Sequence, residues 1–206
     1  MNLQWDGSGE ATNVLVLAHG AGADMSHDYM VHFAQHLSSA HVAVCRFNFR
    51  YTEQGRRAPD KQPVLEDTYR EVVEQVRAER SPRRLFLGGK SMGGRIASHI
   101  VAGGTEVDGL VYLGYPLHPP GKPERLRDAH LGDIKVPQLF VEGTRDPFCP
   151  LDTLTEVIGK RRLKADVVVI DGGDHSLKVR KSSGRTTTEA WNEAIAAITT
   201  WMDRVE

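Results

Sequence analysis

The chain has 206 residues, a formal net charge of −1 and two cysteines. Its size indicates one domain spanning residues 1–206. Two cysteines cannot form a disulfide framework, the charge gives no argument for nucleic acid or an anionic membrane, and no apolar run approaches membrane-spanning length. The segment Met1–Asp6 lacks the basic and apolar regions of a signal peptide. We therefore expect a cytoplasmic protein, a monomer or homodimer, without nucleic-acid or membrane partners.

Apolar runs and turn residues divide the chain into alternating strands and helices. Strands are predicted at Val14–Ala18, Val42–Phe49, Leu85–Leu87, Val107–Leu113, Gln138–Gly143 and Ala165–Ile170. Helices are predicted at Asp28–Ser39, Val64–Glu79, Met92–Ala102, Leu151–Arg162 and Glu189–Arg204. Polar loops are predicted at Arg50–Pro63 and Ser182–Thr188. The alternation predicts an α/β fold with a mostly parallel central sheet flanked by helices on both faces.

The segment Gly89-Lys-Ser-Met-Gly93 is a G-x-S-x-G motif between a predicted strand and a predicted helix. Such a sharp turn holds its serine in a strained conformation, and the glycines let strand and helix approach closely. The helix N-terminus also favours developing negative charge. We therefore expect Ser91 to be a nucleophile, the alternative being a structural turn that carries an idle serine.

A serine nucleophile needs a base to take its proton and an acid to orient that base. Asp146 and His175 each follow a predicted strand, and parallel strands bring their C-terminal ends to one edge of the sheet. We therefore predict a Ser91–His175–Asp146 triad. Asp171 and Asp174 are rivals for the acid, but both lie very close to His175 in sequence.

Acyl transfer also needs hydrogen-bond donors for the oxyanion. We expect the backbone N–H groups of Met92 and Ala21 to supply them, with His19 supporting the loop that carries Ala21. Candidate substrate-binding residues near strand ends are Gly22, Tyr51, Tyr115 and His118.

Other motifs are weaker signals. Asp28, His32 and His36 would share a helix face, but no Glu follows His32, so a solvated face is favoured over a metal site. We predict no metal and no cofactor. Gly88–Ser91 lacks the first glycine of a phosphate loop. The basic residues of 50–61 indicate solvated surface rather than an acid-recognising rim.

Four segments together resemble the α/β-hydrolase superfamily, and the resemblance covers nearly the whole chain. They are His19–Ala23, Arg46–Phe49, Gly89–Arg95 and Gly114–Lys122. They look most like the testis-expressed-30-like group, which lies near the dienelactone hydrolases and includes a subunit of a histone acetyltransferase complex. The resemblance implies the α/β-hydrolase fold and the same triad. Dienelactone hydrolases use a cysteine nucleophile, so Ser91 departs from them.

The segment between Pro116 and Pro137 lies where many relatives insert a lid. It is long enough for one short helix and too short for a lid domain. We therefore expect a shallow, open site and a small or extended ester substrate. The expected function is hydrolysis of a carboxylic ester or thioester through an acyl-enzyme, with a small-molecule ester or acyl substrate as partner. Two alternatives stay open: a non-catalytic binding or scaffold protein, and an acyltransferase or peptidase that uses the same site.

Overall fold

The structure, a computed structural model, describes residues 1–205 and builds them around one seven-stranded sheet. The strands are β1 (Leu3–Asp6), β2 (Asn13–Ala18), β3 (Val42–Phe47), β4 (Arg84–Lys90), β5 (Gly109–Leu113), β6 (Gln138–Gly143) and β7 (Ala165–Ile170). The helices are α1 (Asp28–Leu37), α2 (Arg50–Glu53), α3 (Gln62–Arg80), α4 (Met92–Ala102), α5 (Leu151–Arg161) and α6 (Thr187–Arg204). Short 3₁₀ helices lie at Ala129–Asp133 and Lys181–Ser183.

The strand order is β1-β3-β2-β4-β5-β6-β7, with β1 antiparallel to β3 and every other pair parallel. This confirms the predicted α/β fold and its mostly parallel sheet. The six longer strands overlap their predicted positions. The edge strand β1 was not predicted. Because β2, β4, β5, β6 and β7 are parallel, their C-terminal ends meet along one edge.

Helices cover both faces of the sheet. Apolar side chains of α1 and α6 pack on one face, and those of α3, α4 and α5 pack on the other. The central strands are buried on both sides, which explains their continuous apolar runs. The sheet is therefore a rigid platform whose C-terminal edge can hold side chains in fixed positions.

Two predicted loops contain regular structure. The segment Arg50–Pro63 includes α2 and the start of α3, where Pro63 lies in the first turn and needs no N–H partner. The segment Ser182–Thr188 includes the start of α6. That helix begins with a reciprocal cap, in which the Thr186 side chain accepts from the Glu189 N–H and the Glu189 carboxylate accepts from the Thr186 N–H.

The segment between β5 and β6 forms no lid domain within residues 1–205. It contains one 3₁₀ helix and is fastened to the body of the protein. The Leu117 N–H donates to the Phe148 carbonyl, beyond β6, at 2.9 Å, and within the segment the Arg127 N–H donates to the Leu117 carbonyl at 2.7 Å. Leu117 is fully buried. Among the described helices, none combines the length and apolar character needed to cross a membrane.

Candidate active site

Ser91 lies at the turn between β4 and α4 in a backbone conformation that side chains rarely adopt. Its φ is 52° and its ψ is −112°. The turn is pinned by the Ser91 N–H, which donates to the Leu113 carbonyl at 3.0 Å. A Cβ on Gly93 would lie 2.4 Å from the Ala18 carbonyl oxygen, so only glycine lets α4 approach β2 this closely. The predicted strained turn is present, and it projects the Ser91 hydroxyl from the sheet edge.

Three side chains from three separate loops form a continuous chain of hydrogen bonds at this edge. The Ser91 Oγ lies 2.8 Å from the His175 Nε2, and the His175 Nδ1 lies 2.7 Å from the Asp146 Oδ2. A carboxylate at this distance fixes the proton on Nδ1 and leaves Nε2 free to accept the serine proton. The structure thus brings together the three residues that the sequence analysis named as nucleophile, base and acid.

The Asp146 side chain is completely buried, whereas that of His175 is partly exposed. The second carboxylate oxygen, Oδ1, accepts the Phe148 N–H at 2.8 Å, which fixes the carboxylate plane. The Phe148 ring packs edge-on against the imidazole at 4.7 Å. The rival Asp174 accepts the N–H groups of Ser176 and Lys178 in its own turn. Asp146 is therefore the carboxylate that contacts the imidazole.

The glycine-rich loop after β2 is held by a buried histidine, as predicted. The Phe49 N–H donates to the His19 Nε2 at 3.3 Å, so the Nδ1 carries the proton and donates to the Gly20 carbonyl at 2.8 Å. Burial lowers the pKa of His19, which favours this neutral form. Nearby, the Asn48 side chain accepts the Met25 N–H at 2.8 Å. These contacts fix the loop at 20–25 against the end of β3.

The loop lies directly beside Ser91. A Cβ on Gly20 would be 3.7 Å from the Ser91 Cβ. The backbone N–H groups of Ala21 and Met92 donate no hydrogen bond to any other of residues 1–205. Both residues line a cleft that contains Ser91. The two N–H groups expected to be oxyanion donors therefore lie beside Ser91 and are free to donate to a ligand.

Two clefts flank the Ser91 hydroxyl and the His175 imidazole. One, of about 300 Å³, is the arginine cleft, lined among others by Met92, Arg95, His118 and Arg127. The other, of about 290 Å³, is the loop cleft, lined among others by Ala21, Gly22, Tyr29 and Lys90. The Ser91 hydroxyl is therefore accessible from two sides.

The structure places the four candidate substrate-binding residues in different surroundings. Gly22 lines the loop cleft, where its φ of 74° suits glycine, and His118 lines the arginine cleft. Tyr51 and Tyr115 are fully buried in the core. This corrects the expectation for the two tyrosines, because their large rings are stabilised by burial against other aromatic rings rather than by lining a cleft.

Two ionisable groups beside the hydrogen-bonded chain of Ser91, His175 and Asp146 were not predicted. Glu142 is fully buried at the end of β6, and burial together with Asp146 raises its pKa well above the ordinary value. Lys90 precedes the nucleophile and donates to the His175 carbonyl oxygen. Burial lowers the pKa of Lys90 to about 8. A carboxyl group inside the otherwise apolar run of β6 was the available sequence signal for Glu142.

A second serine–histidine pair joins α4 to the 3₁₀ helix at Ala129–Asp133, away from the turn at Ser91. The Ser98 Oγ is 2.8 Å from the His130 Nε2 and also donates to the Arg95 carbonyl at 2.6 Å. Ser98 is fully buried. The His130 ring stacks on His99 at 3.6 Å. Because the Ser98 hydroxyl is inaccessible, we interpret this pair as a packing contact in the core and not as a candidate nucleophile and base.

The predicted helix face of Asp28, His32 and His36 carries other contacts. The His32 Nε2 lies 3.2 Å from the Asn192 side-chain oxygen, and the two imidazole rings stack at 4.2 Å. Within residues 1–205, no group of three or more His, Cys, Asp and Glu side chains is arranged to hold a metal ion.

Known structures share this fold over nearly their whole length. An α/β serine hydrolase without a lid from Xanthomonas campestris is 19% identical, with 97% of this chain and 88% of that one covered and a TM-score of 0.75. Est1E of Butyrivibrio proteoclasticus with bound ferulic acid is 16% identical, with 99% and 94% covered and a TM-score of 0.78. Dienelactone hydrolase of Anabaena variabilis is 18% identical, with 95% and 87% covered and a TM-score of 0.72.

The sequence itself matches one family over most of its length. Residues 11–203 match the family described as an alpha/beta hydrolase domain. That range begins before β2 and ends within α6, so it includes the turn at Ser91 and all three residues of the hydrogen-bonded chain. The chain therefore belongs to the alpha/beta hydrolase family.

Proposed function

We propose that this protein is a serine hydrolase of carboxylic esters or thioesters that works through an acyl-enzyme. The observation that carries the proposal is the unbroken hydrogen-bonded chain from the Ser91 Oγ through His175 to Asp146. It ends at a hydroxyl that lies between two clefts of ester-sized volume.

In the first half-reaction the Ser91 Oγ attacks the substrate carbonyl carbon while the His175 Nε2 takes its proton. The carbonyl oxygen becomes an oxyanion held by the N–H groups of Met92 and Ala21. Loss of one such donor typically raises the barrier by about 3 kcal/mol. The C–O or C–S bond then breaks, and the protonated His175 gives its proton to the departing alcohol or thiol.

In the second half-reaction a water molecule replaces the departed group. His175 takes one proton from the water as its oxygen attacks the acyl carbon, and the same proton returns to the Ser91 Oγ when the acyl bond breaks. The carboxylic acid leaves and the enzyme is regenerated. An alcohol, thiol or amine acceptor in place of water would give acyl transfer by the same steps.

The first test is covalent labelling and turnover of a simple ester. Wild-type protein should hydrolyse 4-nitrophenyl acetate and be labelled by a fluorophosphonate probe at Ser91. Ser91→Ala should lose the labelling and lower kcat by a factor on the order of 10⁴ or more. Ser98→Ala is the matched control, because it removes the other serine hydroxyl that contacts a histidine. It should retain both signals.

The second test addresses the orienting role of Asp146. Asp146→Asn keeps the shape of the side chain but holds the imidazole in the wrong tautomer, so kcat should fall by a factor on the order of 10⁴.

Equal ester turnover by wild type and Ser91→Ala, with no labelling of Ser91, would contradict the hydrolase proposal. That result would favour a protein that keeps the fold for binding alone.

A further inference from the structure

The arginine cleft beside Ser91 contains positive charge that no carboxylate within residues 1–205 pairs with. Arg95 and Arg127 both line it, together with the nucleophile and His118. Within residues 1–205 neither arginine takes part in an ion pair. Two unpaired guanidinium groups in one cleft are unusual, because burying unpaired charge is costly.

Arg95 projects from the first turn of α4, one helical turn after the nucleophile. Its Nη1 donates to the Gln62 side-chain oxygen at 3.1 Å, but its buried Nε has no hydrogen-bond partner among residues 1–205. Burial and the nearby Arg127 lower the pKa of Arg95. The Arg95 guanidinium group is therefore destabilised both by desolvation and by repulsion from Arg127, and its Nε–H donor makes no hydrogen bond.

Arg127 reaches the cleft from the segment between β5 and β6. Its side chain makes no hydrogen bond to any other of residues 1–205, and burial lowers its pKa. The acids nearby are already engaged. Asp60, which lines the same cleft, pairs with Arg56 at 2.7 Å, and Glu66 pairs with Arg70 at 2.9 Å. An external anion would complete the missing pairing.

His118 also lines this cleft. Its Nδ1 lies 2.9 Å from the Pro119 carbonyl oxygen and so carries a proton. Its Nε2 is buried and has no partner in the described chain.

We propose that the arginine cleft is a subsite for an oxyacid anion, so that the substrate is an ester or thioester bearing a carboxylate or phosphate group near the reacting carbonyl. Guanidinium groups bind both anions through paired N–H donors. The inference rests on the proposed hydrolase activity and names the substrate class of the same site.

The experiment compares charged and neutral esters of matched size. A carboxylate on the acyl side is probed with 4-nitrophenyl hydrogen adipate against 4-nitrophenyl hexanoate. A carboxylate on the leaving group is probed with 5-acetoxy-2-nitrobenzoate against 4-nitrophenyl acetate. Wild type should prefer the charged member of at least one pair in kcat/KM, and the pair that shows the preference identifies the half of the substrate that occupies the cleft.

The variants are Arg127→Gln and Arg95→Gln, with Arg125→Gln as the matched control. Arg127 contacts the fold through its backbone N–H, which the substitution keeps. Arg125 is exposed and lies two residues away. Each cleft variant should reduce the charged-to-neutral preference by about tenfold or more, mainly through KM, since a hydrogen bond to a charged group is worth about that factor. Arg125→Gln should change the preference less than twofold.

A binding measurement keeps the inference separate from turnover. Ser91→Ala should bind adipic acid monoamide more tightly than hexanamide in calorimetry, and adding Arg127→Gln should remove the difference. If the enzyme hydrolyses neutral esters and neither cleft variant changes the charged-to-neutral preference in kcat/KM, the anion subsite is overturned. The hydrolase proposal would still stand. Absence of all turnover would overturn the hydrolase proposal, and calorimetry alone would then decide the subsite.

Discussion

The backbone N–H of Tyr115 donates a 2.6 Å hydrogen bond to the Glu142 Oε1, which joins the end of β6 to the segment after β5. The second oxygen, Oε2, has no partner among residues 1–205. Burial and the neighbouring Asp146 raise the pKa of Glu142, so the neutral acid is favoured. A neutral Glu142 lets the single negative charge of the pair reside on Asp146, where it faces the imidazole.

This pairing predicts different outcomes for two substitutions of Glu142. Glu142→Gln keeps an uncharged oxygen acceptor for the Tyr115 N–H, so the free energy of unfolding should change by less than about 1 kcal/mol. Glu142→Ala leaves that buried N–H unpaired and should cost about 1–3 kcal/mol. Urea unfolding at neutral pH measures both. Equal destabilisation by Gln and Ala would show that the charge, and not the acceptor, is what the fold requires.

The strained backbone at Ser91 predicts an unusual preference for glycine. At a φ of 52° and ψ of −112°, Ser91→Ala retains the steric strain of a Cβ, whereas Ser91→Gly removes it. The free energy of unfolding of Ser91→Gly should be about 1 kcal/mol higher than that of Ser91→Ala, so the glycine variant is the more stable. Ser98 is the control, since it lies inside α4 with helical geometry. There the order should reverse, with Gly less stable than Ala by about 1 kcal/mol.

The close approach of α4 to β2 predicts opposite effects at two glycines. Gly93→Ala forces a methyl group to 2.4 Å from the Ala18 carbonyl oxygen, so it should destabilise by about 1–3 kcal/mol and slow probe labelling of Ser91. Gly159 lies in α5 with no atom within 4 Å of an added Cβ. Gly159→Ala should stabilise by about 0.5–1 kcal/mol. Thermal melts of the two variants compare them directly, and similar shifts would refute the packing argument.

The lowered pKa of Lys90 predicts how stability depends on alkaline pH. Its pKa is about 8 in the folded protein against 10.5 as an ordinary value, so between these values the unfolded chain binds more protons. Stability contributed by this group must therefore rise with pH from about 8 to 10.5, by up to about 3 kcal/mol. The rise should vanish in Lys90→Met and persist in Lys164→Met, an exposed position. If the free energy of unfolding of wild type and of Lys90→Met changed in parallel between pH 8 and 10.5, the lowered pKa of Lys90 would be contradicted.

The sheet and the hydrogen-bonded chain at Ser91 were predictable because their signals are local. Each of the six longer strands is largely an apolar run, and Ser91, Asp146 and His175 lie within a few residues of the ends of β4, β6 and β7. Parallel strands then bring them to one edge regardless of the intervening loops. The edge strand β1 carries no comparable signal. It depends on pairing with β3 and on the ion pair between Asp6 and Arg46 at 2.8 Å.

The arginine cleft and the two tyrosines depend on long-range packing instead. Arg95 and Arg127 are far apart in the chain, and nothing in the intervening residues indicates that they share a cleft. Tyr51 and Tyr115 follow strand ends as cleft residues often do, but their rings turn into the core. Sequence position fixes which edge of the sheet a residue occupies, whereas packing decides which way its side chain faces.

The attachment of the segment between β5 and β6 has a kinetic consequence. Leu117 is hydrogen-bonded to Phe148, and Asp128 is paired with Arg161 at 2.8 Å, so the segment is tied to the body of the protein at two points. Since the clefts beside Ser91 are open, no hinge motion has to precede substrate entry. Encounter of a substrate with Ser91 is then a diffusive step without a gate. Activity should therefore not require a lipid–water interface to expose the hydroxyl.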